Sequence, residues 1–130
     1  MWMWRAQQGL DMEVMGLDPD TQERVWVAAQ AALDKLAQDV VALDVSEHLA
    51  LTDAFLICSG TNERQVDAIV DAIEDATTGR PIRREGKGRG RWVLLDFGDF
   101  VAHVQHLEER AFYDLERLWK DCPRIEVPHE

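Results

Sequence analysis

Cysteine is scarce in this chain, which has only Cys58 and Cys122 among 130 residues. Two widely separated cysteines exclude a disulfide-rich scaffold and a structural zinc site of the paired-cysteine kind. Cys58 lies in an apolar segment without a neighbouring cation, so we interpret it as a packing residue and not as a nucleophile. Low cysteine use is typical of the cytoplasm, where we expect the protein to act.

Long apolar runs are also missing. No stretch approaches the roughly 20 residues that a membrane-spanning helix needs. Residues 1–5 lack the basic start, apolar middle and small-residue cleavage site of a secretory signal. We therefore expect a protein that is neither inserted nor exported. Residues 1–17 are interpreted as a flexible N-terminal extension, because a clear helix start follows at Asp18.

Positive charge is in deficit, with 14 Lys and Arg against 25 Asp and Glu and a formal net charge of -11. Such a surface argues against a phosphate backbone as the main partner and favours a basic protein. One segment departs from this balance, because residues 80–91 carry six basic residues and one acid. This segment either contacts RNA or is a solvated loop. The candidate RNA-contacting residues are Arg83, Arg84, Lys87 and Arg89.

The apolar residues, 46% of the chain, are spaced for a mixture of helices and strands. Asp18-Pro19-Asp20 predicts a helix start, and an apolar stripe follows at steps of three and four. The members of that stripe are Val25, Ala29, Ala32, Leu33, Leu36 and Val40. Residues 40–45 and 54–59 predict central strands, and a helix with buried Val66, Ile69, Val70 and Ile73 follows the second. Residues 91–95 and 100–104 predict a β-hairpin, and Phe112, Leu115, Leu118 and Trp119 predict one closing helix.

This order predicts a single α/β (α+β) domain over residues 18–123, followed by a C-terminal tail at 124–130. Neighbouring strands without a helix between them cannot all be parallel, so the sheet should be mixed, with about five strands and flanking helices.

Several residue groups raise the question of catalysis or metal binding. Ser59 and Gly60 end a strand before a helix, and Asp96 and Asp99 flank the hairpin turn. These positions suit ordinary turns and caps, and no companion nucleophile accompanies them. His103 and His106 would converge on a metal only if their strand broke after Val104. We predict no catalytic residue, no metal and no cofactor, and we interpret His103 as a hydrogen-bonded core or interface residue.

Trp92 is the strongest candidate for a binding residue. Strand alternation places Trp92, Leu94 and Asp96 on one face and the aliphatic Val93 and Leu95 on the other. The Trp92 face is either a partly open patch of the kind enriched at protein interfaces or a second buried face. An open patch would also favour a homodimer of the free protein.

Four ordered blocks resemble the ribosomal silencing factor RsfS, or Iojap-related, family. They are VALDVS at 41–46, LTDAFLICSGT at 51–61, GRWVLLDFGD at 90–99 and FYDLERLW at 112–119, within a match from Thr21 to Pro123. The family has Tyr where Phe97 stands, and often an aromatic residue where Gln105 stands.

The resemblance implies a translation repressor that acts under nutrient limitation or in stationary phase. Such a factor binds large-subunit ribosomal protein fourteen at the subunit interface and sterically blocks joining of the ribosomal subunits. It also implies a nucleotidyltransferase-like fold. The alternative is a nucleotide-binding or nucleotidyltransferase-like enzyme that uses Ser59, Gly60, Asp96 and Asp99. The chain lacks the Gly-Ser that is followed about ten residues later by Asp-x-Asp in nucleotidyl transfer, so the fold carries no catalytic implication. Carried onto this sequence, the partner-binding residues are Trp92, Leu94, Asp96, Phe97, Asp99, Glu85 and Arg91.

Overall fold

The computed structural model describes residues 17–79, 81, 83–86 and 91–128. In chain order the elements are α1 (Pro19–Asp34), β1 (Gln38–Asp44), β2 (Ala54–Gly60), α2 (Glu63–Ala76), β3 (Arg83–Glu85), β4 (Trp92–Asp96), β5 (Phe100–His106), α3 (Leu107–Tyr113), α4 (Leu115–Leu118) and β6 (Arg124–Ile125). The predicted start of α1 is confirmed, because Pro19 opens the helix and the Asp18 carboxylate accepts a hydrogen bond from the Asp20 amide.

All six strands form one mixed sheet in the order β3-β4-β5-β2-β1-β6. β2 and β5 run parallel at its centre, and the remaining neighbours are antiparallel. After β2 the chain forms α2 and then the β3-β4-β5 meander, whose last strand lies beside β2. The predicted mixed α/β domain is therefore confirmed, and the nucleotidyltransferase-like fold stays a prediction.

The two faces of the sheet are covered differently. On one face, α1 and α2 pack over a large core that includes Val93, Leu95 and Phe100. A smaller cluster on the other face includes Phe55 and Ile57, with α4 packed on its rim through Leu115 and the adjoining Trp119. Fewer helical residues cover the second face than the first. Side chains on the second face therefore stay more accessible, and the candidate site lies there.

Three predictions of element boundaries are wrong. The apolar stripe of α1 does not extend to Leu36 and Val40, because the helix ends at Asp34 and Leu36 turns into the left-handed region at φ 64°. The tail does not begin at 124, since Arg124 and Ile125 pair with Leu43 and Ala42 as an edge strand. Leu17, assigned to the extension, packs against the core.

The closing helix is also different from its prediction. Asp114 has φ 48° and ψ 57°, which divides one expected helix into α3 and α4. Leu115 therefore packs on the second face, while Phe112 and Leu118 point away from the core. The extension at 1–16, together with Lys87 and Arg89 of the basic segment, lies outside the described residues.

Candidate protein-binding surface

Strand β4 has the alternation that its sequence predicts. Val93 and Leu95 are fully buried on the helix-covered face, and Trp92, Leu94 and Asp96 are only partly buried on the other. The choice left open by the sequence is thereby decided in favour of a partly open patch. We call Trp92, Leu94 and Asp96 the β4 patch.

A row of aromatic rings on the second face of the sheet packs against the β4 patch. It runs from Trp119 to Phe55, His103, Trp92 and Tyr113, with successive ring centroids 5.4, 4.9, 6.0 and 4.7 Å apart. Two of these contacts are edge-on, a geometry that aromatic pairs favour. The row connects α4 to the β4 patch and holds the Trp92 ring between the sheet and Tyr113.

His103 is the polar member of this row. Its Nδ1 accepts a hydrogen bond from the Trp92 Nε1–H at 3.2 Å, so the neutral ring must carry its hydrogen on Nε2. Burial lowers the pKa of His103 to about 4. His103 is therefore neutral at physiological pH, and of the predicted hydrogen-bonded core or interface residue the structure shows the hydrogen bond and the burial.

His106 serves a different purpose. Its Nδ1 accepts a hydrogen bond from the Glu108 amide and caps α3. The described residues contain no group of three or more His, Cys, Asp and Glu side chains arranged to hold a metal ion.

Two of the predicted partner-binding residues do not reach the β4 patch. Phe97 is buried in the first core, where its ring stacks on Phe100 at 4.9 Å. Asp99 faces α1, and its Oδ2 accepts hydrogen bonds from Thr21 Oγ1 at 3.2 Å and Arg24 Nε at 3.0 Å. Both side chains are committed to the helix-covered side and lie apart from the β4 patch, and their role in partner binding stays a prediction.

The remaining carboxylate of the β4-β5 turn has a local role as well. Asp96 Oδ1 accepts a hydrogen bond from the Gly98 amide at 2.9 Å, which closes the reversal as the sequence predicts. Gly98 has φ 94°, a conformation that glycine adopts without strain. The carboxylate stays partly exposed and is the acidic member of the β4 patch.

Arg91 stands at the start of β4 and is held by α3. Its guanidinium donates to Glu109 Oε1 at 2.7 Å and to Glu108 Oε1 at 2.8 Å. These carboxylates raise the pKa of Arg91, and Arg91 in turn lowers the pKa of Glu108. Glu85 lies exposed on β3 opposite Leu94 and pairs with Arg83 at 3.1 Å.

Two of the candidate RNA-contacting residues, Arg83 and Arg84, lie in the described part of the chain, and they differ in how exposed their guanidiniums are. Arg84 is partly buried and forms an ion pair with Glu74 of α2, so its charge is used within the fold. Arg83 is mostly exposed. Of the two, Arg83 is the better placed to contact RNA.

Sequence reasoning missed Arg110 and Tyr113. Arg110 is buried and donates to Ser59 Oγ and the Asp39 carbonyl, both at 2.7 Å, and to Glu116 at 3.0 Å. Ser59, which the enzymatic alternative uses, therefore accepts a hydrogen bond from Arg110 within the fold. Tyr113 contacts Trp92, and no local pattern in the sequence predicts that contact.

The two cysteines are both buried and free. Burial raises the pKa of Cys58 to about 12, which suppresses the thiolate and agrees with a packing role. Cys122 packs in the cluster on the second face.

Comparison with known proteins identifies the family. A family model described as "Ribosomal silencing factor during starvation" matches residues 18–130. The chain belongs to the RsfS family. The RsfS protein of Halalkalibacterium halodurans is 44% identical over 109 residues, which are 82% of this chain and 93% of that protein. The RsfS protein of Bacillus subtilis is 45% identical over 104 residues, which are 78% and 88% of the two chains.

A solved structure and a distant relative extend the comparison. The crystal structure of a Chromobacterium violaceum protein has a TM-score of 0.74 and 32% identity, covering 77% of this chain and 86% of that one. A mouse protein named "Mitochondrial assembly of ribosomal large subunit protein 1" is 33% identical over 89 residues, which are 64% of this chain and 39% of that protein. The RsfS relatives are named as silencing factors, not as enzymes. No described helix is long and apolar enough to cross a membrane.

Proposed function

We propose that this RsfS protein binds the large ribosomal subunit through ribosomal protein fourteen, on the face where the small subunit docks. Its bulk then prevents the two subunits from joining and represses translation under nutrient limitation or in stationary phase. The protein acts by occupying a surface, and no step requires a catalytic residue or a cofactor.

The observation that carries this proposal is the partly open β4 patch. Trp92 and Leu94 lie side by side on a sheet face that the helices cover incompletely. Tryptophan in a partly desolvated site is a frequent source of binding energy at protein interfaces. Because the supporting rings are already packed, Trp92 would lose little conformational freedom on binding.

Charge supports a basic partner. Ribosomal proteins bind RNA and are commonly rich in Lys and Arg, whereas this chain has a net charge of -11. Opposite charges accelerate association and orient the two surfaces before the apolar residues meet. We place Asp96 within the surface and Glu85 and Arg91 at its rim, where Arg91 is already paired with Glu108 and Glu109.

Co-sedimentation with isolated large subunits, followed by a subunit-joining assay, tests the function. We expect saturable binding and a dose-dependent decrease in joined ribosomes as the protein approaches saturation. Binding to purified protein fourteen identifies the partner. Joining that proceeds unchanged with the large subunit saturated would contradict the steric mechanism.

A peripheral RNA contact is a separate part of the proposal. Arg83 on the edge strand β3 belongs to the basic segment, which also contains Lys87 and Arg89. Neighbouring rRNA phosphates would attract these cations, and the contribution should weaken as salt rises.

When the protein is free, a second copy would cover the β4 patch, which light scattering can detect as a homodimer.

A further inference from the structure

A second apolar surface lies at the break between α3 and α4. Phe112 is 80% exposed, Leu118 is 71% exposed and Tyr113 is 48% exposed. An open cleft of about 560 Å³ runs between them. We call this surface the α3-α4 corner, and its lining residues are Ala111, Phe112, Tyr113, Asp114, Arg117 and Leu118.

The left-handed conformation of Asp114 produces this exposure. An uninterrupted helix would place Phe112, Leu115 and Trp119 on one side. The break at φ 48° instead lets Leu115 and Trp119 pack on the second face while Phe112 remains in solvent. Several large apolar side chains exposed together mark an interaction surface more often than a single one does.

The α3-α4 corner is continuous with the β4 patch. The Tyr113 ring lies 4.7 Å from the Trp92 ring, and Phe112 contacts Tyr113 edge-on at 4.9 Å. A partner that covers Trp92 therefore meets Tyr113 at once, and Phe112 lies one ring further along the same surface.

The charges around the corner define what can occupy it. The cleft lining carries one exposed carboxylate, Asp114, and one exposed guanidinium, Arg117. Glu108 and Glu109 are paired with Arg91, and Glu116 is paired with the buried Arg110, so these charges offset one another. The attraction for a cation therefore comes from the net charge of the whole chain, -11, and from the exposed rings of Phe112 and Tyr113. An apolar side chain flanked by Lys or Arg is complementary to such a cleft.

We propose that the α3-α4 corner is the second half of the docking surface. It receives an apolar side chain flanked by Lys or Arg from the same basic ribosomal protein that covers the β4 patch. This inference rests on the proposed function and adds Phe112, Tyr113 and Leu118 to the residues that determine affinity.

The test titrates the full chain and its variants against isolated large subunits. Phe112→Ala combined with Leu118→Ala should lower the affinity about tenfold or more, since both side chains become desolvated on binding. The matched control is Leu51→Ala, an apolar truncation at a side chain that is 92% exposed in the β1-β2 loop. This control should stay within about twofold of the unmodified chain. All three replaced side chains are exposed, so the melting temperature should be unchanged.

Comparison with Trp92→Ala separates the inference from the function. If Trp92→Ala weakens binding and the corner variant does not, the corner is no part of the interface and the inference is wrong, while the function stands. If the unmodified chain does not bind large subunits, the proposed function fails. If the corner variant changes only the oligomeric state of the free chain, the occupant is a second copy and the inference is likewise wrong.

Asp114→Asn tests the charge of the occupant. Asparagine tolerates the left-handed conformation, so the break and the exposed rings remain while one carboxylate is removed. The variant should bind a few-fold more weakly at low salt and equally well at high salt. Equal binding at every salt concentration would overturn the cationic part of the proposal.

Discussion

Trp92 and His103 join neighbouring strands through a hydrogen bond from the indole Nε1–H to the imidazole Nδ1, 3.2 Å apart. In the β4-β5 register, His103 lies opposite Leu94, so this bond runs diagonally across the ladder. It satisfies the one polar group of the indole within the protein. The ring therefore offers a partner apolar and π surface only, which suits an apolar or cationic group.

Replacing Trp92 with Ala should weaken binding to the large subunit by about 2 kcal/mol or more, because a central aromatic anchor is lost. Folding should persist, since Trp92 is only partly buried. Co-sedimentation gives the affinity, and circular dichroism gives the fold. Trp26→Ala, on the outer side of α1, is the matched control and should bind normally. Unfolding of Trp92→Ala would instead make the indole a core residue.

His103 should make stability depend on pH. Its folded pKa of about 4 lies below the ordinary 6.5, so the unfolded chain binds the proton more readily between these values. Stability should therefore fall as the pH decreases through this window, with His103 accounting for a loss of about 2 kcal/mol between pH 7 and pH 5. Urea unfolding at the two pH values measures the change.

His103→Asn is the control for this titration. The amide does not titrate, and it retains an acceptor for the Trp92 N–H. The difference in unfolding free energy between pH 7 and pH 5 should be smaller in the variant by about 2 kcal/mol. An identical pH dependence in both proteins would show that other groups cause it.

Removing the Arg110 guanidinium should be the costliest single change among the charged residues described above. Arg110→Ala leaves a buried Ser59 hydroxyl and the Asp39 carbonyl without their donor, and Glu116 without its closest cation. We expect a loss of about 3 kcal/mol in unfolding free energy. Ser59→Ala removes a single hydrogen bond and should cost only about 1 kcal/mol. Similar losses for the two variants would contradict the three-way role of Arg110.

Two glycines with positive φ offer a matched pair of substitutions. Gly86 has φ 86°, and a Cβ there would overlap the Trp92 carbonyl oxygen, whereas Gly79 has φ 81° and open space around it. Gly79→Ala should cost about 1 kcal/mol from the left-handed backbone alone. Gly86→Ala should cost about 3 kcal/mol, because β3 and β4 must also separate. Thermal unfolding compares them, and equal costs would refute the close approach.

The basic segment should determine the salt dependence of ribosome binding. Replacing Arg83, Lys87 and Arg89 with Gln should reduce the slope of log affinity against log salt by up to about three, if each cation meets one phosphate. Arg84→Gln should have a smaller effect on the slope and a larger one on stability, because Arg84 pairs with Glu74. An unchanged slope in the triple variant would show that the basic segment contacts no phosphate and is solvated surface.

Much of the fold was predictable because the relevant signals are local. The cap at Asp18, the strand alternation from Trp92 to Asp96 and the Gly98 reversal each depend on a few neighbouring residues. The β6 strand was not predictable, because a two-residue segment pairs with β1 only after the whole sheet exists. Phe97 lies in the core under α1 and α2, on the side where the alternation of Val93 and Leu95 would place position 97, whereas its predicted role in binding came from the family resemblance.

The sequence by itself determined the family, the mixed α/β class and the apolar and acidic residues of β4, because these follow from residue order and short-range periodicity. Tertiary structure alone decided which side chains are free to bind. The Asp99 carboxylate is paired with Arg24, the Arg110 guanidinium donates to Ser59, and Phe112 is exposed by the turn at Asp114. The first two outcomes depend on contacts between residues far apart in the chain, and the third depends on a backbone turn that lets Leu115 and Trp119 pack on the second face.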